Sequence, residues 1–363
     1  RALCYLNLAT WFSRAPYNSL TGASRWNEPC VPVYTTGTSI DTGGQPRESL
    51  RTVYGRIDQD IDRAIELLEK ARETTLAENN KSHINLYVAL GIKSRACLAE
   101  GDWDGAFKAA KRVIDEGGYA VGTKSDLTSG MNSLDKQNVM WGAGIQVADQ
   151  AGGYAGFFTH MDNKEGAYAK SAPKLISKQL YNRISATDIR RDWWDPSDKE
   201  SPYVSKKFSF ANVASFLGDY IYMRVEEMYF TAAEAALRLD DLKSARELMN
   251  TVMAERDPGY SANNRSGTLL GATTTTWTGS FLENILTHRR IELWGEYGRL
   301  FDVRRLGQGI DRRTDDGFSE ECISMMNRRN VNITKADTYD WVLTIPKAEL
   351  DANPNINEED QNP

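Results

Sequence analysis

Glu292 and Glu296 lie one helical turn apart in the segment RRIELWGEYGRLFDVRRLG, which spans residues 289–307. Glycoside hydrolases use a pair of carboxylates, one as a general acid and the other as a base or nucleophile. The segment also holds five arginines, and neighbouring cations lower the pKa of a carboxyl group, whereas a general acid needs a raised pKa. Two residues on one turn also point the same way instead of flanking a substrate bond. The pattern therefore argues against catalysis.

A network of ion pairs explains this segment better than a binding surface for a polyanion, because its three carboxylates neutralise much of the positive charge. If the helix continues, residues three apart are neighbours, so Arg299 pairs with Glu296 and with Asp302. The same spacing pairs Asp302 with Arg305. The predicted structural ion network consists of Glu292, Glu296, Arg299, Asp302 and Arg305.

The composition excludes several classes of protein. The chain has 363 residues, with 44 lysines and arginines against 50 aspartates and glutamates, and its net charge of −6 argues against a nucleic-acid-binding protein. The four cysteines and three histidines are scattered without the spacing of metal ligands. Two acidic loops, at 162–165 and 313–317, could hold calcium, but neither has the regular spacing of a calcium loop. The sequence therefore predicts no metal and no cofactor.

Three segments show the three- and four-residue apolar spacing of amphipathic helices, and they cover residues 47–73, 84–100 and 102–116. The break between the last two is short enough to predict an antiparallel helical hairpin. The pattern recurs later in the chain, because ACLAEGDWDGAF from Ala96 aligns with AALRLDDLKSAR from Ala235. Small residues around a polar turn are typical of tetratricopeptide repeats. We therefore predict a mainly α fold of interrupted tetratricopeptide-like helical hairpins with loop-rich insertions.

The whole chain, residues 1–363, is predicted to form a single domain that lacks its N-terminal part, because Arg1 opens directly into an apolar helical pattern. Glycines, aromatics and short apolar runs replace the helical periodicity in the middle of the chain. The predicted regions are helical repeats at 1–120 with a loop at 13–46, a loop-rich insertion at 121–220 with one helix near 173–183, helical repeats at 221–306 and an irregular C-terminal segment at 307–363.

Four motifs resemble those of the SusD/RagB proteins. The segment ELWGEYGRLFDVRRLG is similar to the C-terminal signature of that family through Glu292, Leu293, Glu296, Arg299, Phe301, Asp302, Arg304 and Arg305. Three further motifs follow the family's order, namely RALCYLNLATWF at the start, YMRVEEMYFTAAEAALRLDD at 222–241 and LTIPKAELDANPNI at 343–356. The small residue that usually follows the second glutamate in the family is Tyr297 here, with Gly298 one position later.

The resemblance implies a SusD-like α/α superhelix and a function without catalysis. Proteins of this family are surface lipoproteins of Bacteroidetes that capture a nutrient and cover a TonB-dependent outer-membrane transporter of the SusC type. The resemblance therefore implies a cell-surface protein, held on the outer membrane by a lipid anchor upstream of residue 1. The implied ligand is an oligosaccharide or polysaccharide. The alternatives are a peptide or another non-glycan nutrient, and, outside the family, a glycoside hydrolase.

A glycan site needs aromatic rings that stack on sugar faces, together with amides or carboxylates that bind hydroxyl groups. The insertion offers such residues in YAGFFTHMDN, where the predicted ligand contacts are Tyr154, Phe157, Phe158, Asp162 and Asn163. The alternative for the two phenylalanines is that they pin the loop onto the core. Two other loops add Trp26, Asn27 and Trp277. The last of these could instead be a hydrophobic staple before the helix that follows it.

Overall fold

The computed structural model describes residues 1–35, 37–39, 41–74, 80–148, 155–263, 279–309 and 339–363. Helices dominate these residues, which confirms the prediction of a mainly α protein. In chain order they are α1 (Ala2–Phe12), α2 (Leu50–Thr74), α3 (Leu86–Glu100), α4 (Trp103–Glu116), α5 (Lys124–Leu127), α6 (Phe157–Met161), α7 (Ala167–Ser171), α8 (Lys178–Tyr181), α9 (Val225–Arg238), α10 (Leu242–Ala254), α11 (Phe281–Glu292), α12 (Arg299–Arg305) and α13 (Lys347–Ala352).

Short strands lie among the helices and form two antiparallel pairs. They are β1 (Val139–Ala143), β2 (Trp194–Asp195), β3 (Val204–Ser205) and β4 (Tyr220–Arg224), and β1 pairs with β4 while β2 pairs with β3. In the β1–β4 ribbon Val139 lies opposite Arg224 and Ala143 opposite Tyr220, with two irregularities in the register. Because β4 continues directly into α9, the ribbon joins the insertion to the second group of helices.

The two predicted repeats, α3–α4 and α9–α10, are helical hairpins of the same construction. The Asp102 and Asp241 carboxylates each accept an amide from the first turn of the second helix, in both cases at 3.0 Å. The turn between α3 and α4 contains Gly101 at φ +77°, and the turn between α9 and α10 contains Asp240 at φ +61°. A left-handed residue followed closely by a capping aspartate lets the chain end one helix and start the next within a few residues.

Removing the second cap by the substitution Asp241→Ala should lower the free energy of unfolding by about 1 kcal/mol, because an amide at the start of α10 loses its acceptor. Urea denaturation measures this change. The control is Lys243→Ala, whose side chain on the same turn is 84% exposed and should matter by less than about 0.5 kcal/mol. Equal midpoints for Asp241→Ala and the native chain would contradict a stabilising cap.

The main core forms around α9, which contacts α3, α4, α10 and α11. Small side chains allow helices to approach one another closely. The buried small residues of α9 are Ala232, Ala233, Ala235 and Ala236. Since α9 packs against members of both hairpins, it fixes the position of one hairpin relative to the other.

The insertion at 121–220 has more short elements than the one helix predicted near 173–183. Its described part carries α5 to α8, and within 173–183 only Lys178–Tyr181 is α-helical. Trp193 and Trp194 are 2% and 1% exposed, and they pack with Ile291 of α11 in a small core of their own. The insertion is therefore packed against the helical body instead of extending away from it.

The C-terminal segment packs against the first helix. The Leu343 amide donates to the Trp11 carbonyl at 2.8 Å, and the Asn362 side chain donates to the Phe12 carbonyl at 3.0 Å. Within 307–363 the described residues include α13 and 3-10 turns at Tyr339–Trp341 and Glu358–Asp360. The prediction of an irregular segment is therefore corrected in these places.

Candidate ligand-binding pocket

The charged segment at 289–307 is not one continuous helix. α11 ends at Glu292, α12 begins at Arg299, and a turn at 293–298 separates them. Gly295 and Gly298 have φ angles of +74° and +124°, which residues with side chains rarely adopt. A Cβ atom at Gly295 would also lie 2.5 Å from the Phe208 ring. The assumption of a continuous helix is wrong at this turn, and the carboxylates find partners on other elements.

Glu292 lies at the centre of a buried ion cluster. Three arginines bind its carboxylate at 3.0 to 3.2 Å, and they are Arg190, Arg224 and Arg256. Burial favours a raised pKa for a carboxyl group, but the three guanidinium groups outweigh it and hold the pKa of Glu292 well below its usual value. Further carboxylates on neighbouring elements pair with the same arginines. Charge is therefore compensated inside the cluster.

Glu296 has two cationic partners, since Lys207 donates to its carboxylate at 2.5 Å and Arg224 at 2.8 Å. Burial opposes ionisation of Glu296, but these two cations outweigh it and lower the pKa. Burial lowers the pKa of Lys207 to about 8, and the charge of Glu296 opposes that shift. Both Glu292 and Glu296 are thus held as carboxylates, which is the wrong state for a general acid.

A second buried cluster surrounds Asp302. Its carboxylate is bound by Arg289 and by Arg305, each at 2.8 Å. The two guanidinium groups outweigh the effect of burial and lower the pKa of Asp302. Arg299, which the helical spacing paired with Glu296 and Asp302, donates to the Gln308 side chain at 2.9 Å. The predicted pair of Asp302 with Arg305 is therefore confirmed, whereas the two pairs predicted for Arg299 are wrong.

A pocket of about 400 Å³, here called the aromatic pocket, opens beside the turn at 293–298. Among the described residues, the aromatic side chains that line it are Trp141, Phe157, Phe208, Tyr220, Tyr222 and Tyr297. The rings of Trp141 and Tyr222 meet edge-on with 5.0 Å between their centroids. Tyr222 is 40% exposed, so its ring is accessible from solvent. Walls of this kind fit a ligand with flat apolar faces.

Three elements position five of these six rings. The β1–β4 ribbon carries Trp141, Tyr220 and Tyr222, α6 carries Phe157, and the turn at 293–298 carries Tyr297. The ion cluster holds that turn in place, because the Lys207 ammonium donates to the carbonyls of Glu292 at 2.7 Å and Trp294 at 2.8 Å. The charged segment therefore builds one wall of the aromatic pocket.

The charged groups of the aromatic pocket, and the hydroxyl of Tyr297, are already engaged with protein partners. The Arg95 guanidinium pairs with Glu227 at 2.6 Å and lies 3.9 Å from the centre of the Tyr297 ring. The Tyr297 hydroxyl donates to the Asn7 side chain at 3.5 Å. The remaining charged group, Glu296, is paired as described above. The aromatic pocket therefore offers no uncompensated charge among its described lining residues.

The two predicted phenylalanines have different positions. Phe157 lines the aromatic pocket, where its ring meets Phe208 edge-on at 5.3 Å. Phe158 is 2% exposed and packs against Phe210 and Tyr220 at 5.7 and 6.1 Å between centroids. Of the two alternatives stated for this pair, a ligand contact is compatible with the position of Phe157. Phe158 is corrected to a core residue because its ring is enclosed.

Asp162 and Asn163 hold the insertion together and are not directed to the aromatic pocket. Asp162 is 3% exposed, with two amides of the following turn on Oδ1 at 3.0 Å and the Phe210 amide on Oδ2 at 3.0 Å. The Asn163 side chain donates to the Ser205 carbonyl at 2.7 Å and accepts the Lys174 amide at 2.8 Å. Their prediction as ligand contacts is corrected because these side chains are committed to backbone groups.

Trp26 and Asn27, which were predicted on another loop, do not line the aromatic pocket. Trp26 packs edge-on against Tyr54 at 5.7 Å on the main core, and Asn27 is exposed next to it. Neither lines the aromatic pocket, so the structure separates them from Phe157. Tyr154 and Trp277 lie outside the described residues.

Three rings of the aromatic pocket, including its most exposed one, were not predicted from the sequence. Trp141, Tyr220 and Tyr222 come from a ribbon whose two strands are far apart in the chain. One signal could have indicated part of it, because the alternation in Tyr-Ile-Tyr at 220–222 places both tyrosines on the same face of a strand. Their partner Trp141 had no such local signal.

No group of three or more metal-ligating side chains occurs within the described ranges. The oxygens of Asp162, in the acidic loop at 162–165, already accept backbone amides. The second acidic loop, at 313–317, lies outside the described residues. Among the described helices, none has both the length and the apolarity of a membrane span.

These features define a class of protein, a helical-repeat protein with an aromatic pocket between its insertion and its helical body. The structure is similar to a SusD-like carbohydrate binding protein from Bacteroides vulgatus, with a TM-score of 0.77 and 26% identity over 99% of this chain and 75% of that one. It also resembles a SusD superfamily protein from Bacteroides thetaiotaomicron, with a TM-score of 0.76 and 23% identity over 100% and 76% of the two chains. Surface glycan-binding protein A from Bacteroides uniformis shares the fold, with a TM-score of 0.62 and 16% identity over 100% and 75%.

The sequence comparison identifies the family more directly. Residues 160–363 match the SusD family. This range includes the charged segment at 289–307 and the C-terminal motif. No curated protein matches the sequence. The chain belongs to the SusD family.

Proposed function

We propose that the protein binds an oligosaccharide or polysaccharide at the bacterial cell surface and delivers it to a TonB-dependent outer-membrane transporter of the SusC type. The observation that carries the proposal is the aromatic pocket of about 400 Å³, which falls within the roughly 300 to 1,000 Å³ of small-molecule sites. Membership of the SusD family supports it, as does the carbohydrate-binding relative from Bacteroides vulgatus.

Stacking of a sugar ring on an aromatic side chain is the interaction that the aromatic pocket favours. The C–H groups on one face of a sugar ring form a flat apolar surface, and aromatic rings contribute large contact area at low entropic cost. Trp141 and Tyr222 provide two such rings at an angle of 66° to one another. With its charged lining groups already paired, the pocket suits an uncharged sugar.

The proposal includes binding without hydrolysis. Hydrolysis of a glycoside needs one carboxyl group that gives a proton and a second carboxylate on the other side of the bond. Glu296 is the carboxylate on the pocket wall, and both of its oxygens accept hydrogen bonds from cations. A reducing-end assay should therefore detect no product when the protein is incubated with the polysaccharide that it binds.

Tyr222→Ala should weaken glycan binding by about tenfold, or ~1.4 kcal/mol, because the ligand loses its most accessible ring. Affinity gel electrophoresis against a series of polysaccharides, followed by calorimetry on the one that binds, measures the change. Tyr168→Ala is a matched control, since this tyrosine is 43% exposed against 40% for Tyr222 and lies outside the aromatic pocket.

Unchanged affinity in the Tyr222→Ala variant would remove the aromatic pocket from the proposal. Equal losses in both tyrosine variants would point to a general effect of surface aromatics. A melting temperature close to that of the native chain is expected for each, because both rings are exposed.

A peptide is the second candidate ligand, because the apolar walls of the aromatic pocket also fit an apolar side chain. An aromatic or aliphatic side chain would bury its surface among Phe157, Phe208 and Trp141 as well as a sugar face would. The two candidates differ in a direct test. A peptide binder would not be retarded by any polysaccharide gel. Its Tyr222→Ala variant would instead lose affinity for peptides from a protein digest.

The proposed location is the outer membrane, where a lipid anchor holds the protein. The proposed partner is a SusC-type transporter. Family membership supports this part of the proposal. The test uses intact cells that express the full-length protein. Digestion by an external protease and co-purification with a SusC-type transporter are the expected results, and protection from the protease would contradict surface exposure.

A further inference from the structure

A second cavity of about 1180 Å³, here called the polar groove, has its own set of lining residues. It forms where the end of α2, the turn at 80–85, the end of α4 and the residues flanking the β1–β4 ribbon meet. None of its lining residues also lines the aromatic pocket. The function proposed above leaves this groove unused.

Backbone and side-chain hydrogen bonds make the floor of the polar groove rigid. The Lys81 ammonium donates to the carbonyls of Leu134 at 2.8 Å and Lys136 at 2.6 Å. The Asp219 carboxylate accepts the amides of Leu134 at 2.9 Å and Ile145 at 3.0 Å. A preformed binding surface of this kind reduces the conformational entropy that the protein loses when a ligand binds. The polar groove is therefore a built feature of the fold and not a gap between loose segments.

Two tyrosines form an aromatic wall in the polar groove. Tyr87 and Tyr119 meet edge-on, with 6.3 Å between their ring centroids. The Asn85 side chain donates to the Tyr119 hydroxyl at 3.2 Å, while its oxygen caps α3 by accepting the Val88 amide at 2.9 Å. The Tyr119 ring is only half-buried, so one surface of a fixed ring faces the groove.

The rim of the polar groove carries hydrogen-bonding groups of the type that bind hydroxyls. These exposed side chains are Asn80, Glu116, Asp135, Gln137 and Gln146. Amides both donate and accept, and carboxylates accept, which matches a ligand whose hydroxyl groups do both. A fixed ring beside such a rim suits a chain of sugar residues.

The charge of the polar groove selects against anions. Its lining contains the carboxylates of Asp135 and Asp219, together with Glu116, which pairs with Arg112, against the ammonium of Lys81. The Lys81 charge is engaged by two carbonyls, and the carboxyl end of α4 adds partial negative charge. A uronate or a sulfated sugar would meet like charge here, whereas a neutral sugar would not.

We propose that the polar groove is a second binding site, separate from the aromatic pocket, for a neutral oligosaccharide. The larger volume and open polar rim suit several consecutive sugar residues, while the Tyr119 ring supports one of them. This inference does not depend on ligand binding in the aromatic pocket, because the two cavities share no lining residue.

The test compares variants of the whole chain by affinity gel electrophoresis in glucan, xylan, mannan and galactan gels, with polygalacturonate as the acidic probe. The variants are Tyr119→Ala and the double substitution Glu116→Ala with Gln137→Ala. Asp104→Ala is the matched control, because Asp104 pairs with Lys108 on α4 at i,i+4 as Glu116 pairs with Arg112. We expect at least tenfold weaker binding to a neutral polysaccharide in both groove variants, no change in the control and no retardation by polygalacturonate.

Several outcomes would overturn the proposal. They are no retardation of the native chain by any of the four neutral gels, retention of native affinity in the double variant, or retardation by polygalacturonate alone. The double variant keeps the test valid if Tyr119→Ala unfolds, because both of its side chains are exposed. Loss of binding in the Tyr222→Ala variant alone would support the aromatic pocket and overturn the polar groove. Loss of binding in the groove variants alone would support the polar groove and overturn the aromatic pocket.

Discussion

Glu292→Ala is expected to lower the free energy of unfolding by about 3 to 5 kcal/mol, because it leaves buried cations without their carboxylate. Arg190, Arg224 and Arg256 all bind Glu292, and all four side chains are 0% exposed. The loss of one partner from a buried cluster costs far more than the loss of a surface ion pair. Urea denaturation, monitored by tryptophan fluorescence, measures the difference.

Two further variants make the Glu292 experiment specific. Glu292→Gln keeps the volume and removes the charge, so it should also destabilise strongly and reports on electrostatics without a cavity. Glu247→Ala is the control, since this glutamate is 66% exposed and lies 3.9 Å from its partner Lys243. A change of less than about 1 kcal/mol in both Glu292 variants would show that the cluster is dispensable.

Glu100→Gln is expected to stabilise the protein at neutral and alkaline pH, whereas Glu292→Ala is expected to destabilise it. Burial raises the pKa of Glu100 to about 8, and the charges of Asp58 and Asp102 add to this shift while Lys93 opposes it. In the described structure its Oε1 atom is buried without a hydrogen-bond partner. The ionised side chain is therefore unfavourable in the folded protein.

The sign of the pH dependence follows from proton binding. Between pH 4.5 and about 8 the folded protein holds a proton on Glu100 that the unfolded chain releases, so this group makes stability fall as pH rises. Glu100→Gln should match the native stability near pH 4.5 and exceed it by on the order of 2 to 4 kcal/mol above about pH 8. Urea denaturation at both ends of this range measures the difference, with Glu247→Gln as the exposed control. A constant difference between variant and native chain across this range would contradict the assignment.

The buried ion cluster and the aromatic pocket are connected through the turn at 293–298. Lys207 holds that turn by its carbonyls, and Arg224 reaches both Glu292 and Glu296. The family signature in this segment thus encodes the support of a pocket wall. Breaking the cluster should therefore change the aromatic pocket as well as stability, whereas Tyr222→Ala should change binding alone.

Much of the fold was predictable because its determinants are local. The segment at 102–116 was predicted to be a helix and is helical over Trp103–Glu116, because its apolar spacing and its Asp102 cap act within a few residues. The repeat at Ala96 and Ala235 likewise predicted two hairpins of the same construction. The prediction of one continuous helix through the charged segment is wrong. Gly295 and Gly298 have positive φ angles in the turn that separates α11 from α12.

From the sequence alone we could derive the helical class, the repeated hairpins, the resemblance to the SusD family and the ion-paired character of the segment at 289–307. Which groups meet depends on the three-dimensional packing, because the arginines that bind Glu292 are 36, 68 and 102 residues away in the chain. The same holds for the aromatic pocket, where Trp141 and Tyr222 become neighbours through pairing of two distant strands. Periodicity and capping are properties of short segments, whereas contacts between distant segments depend on how all the helices and the insertion pack together.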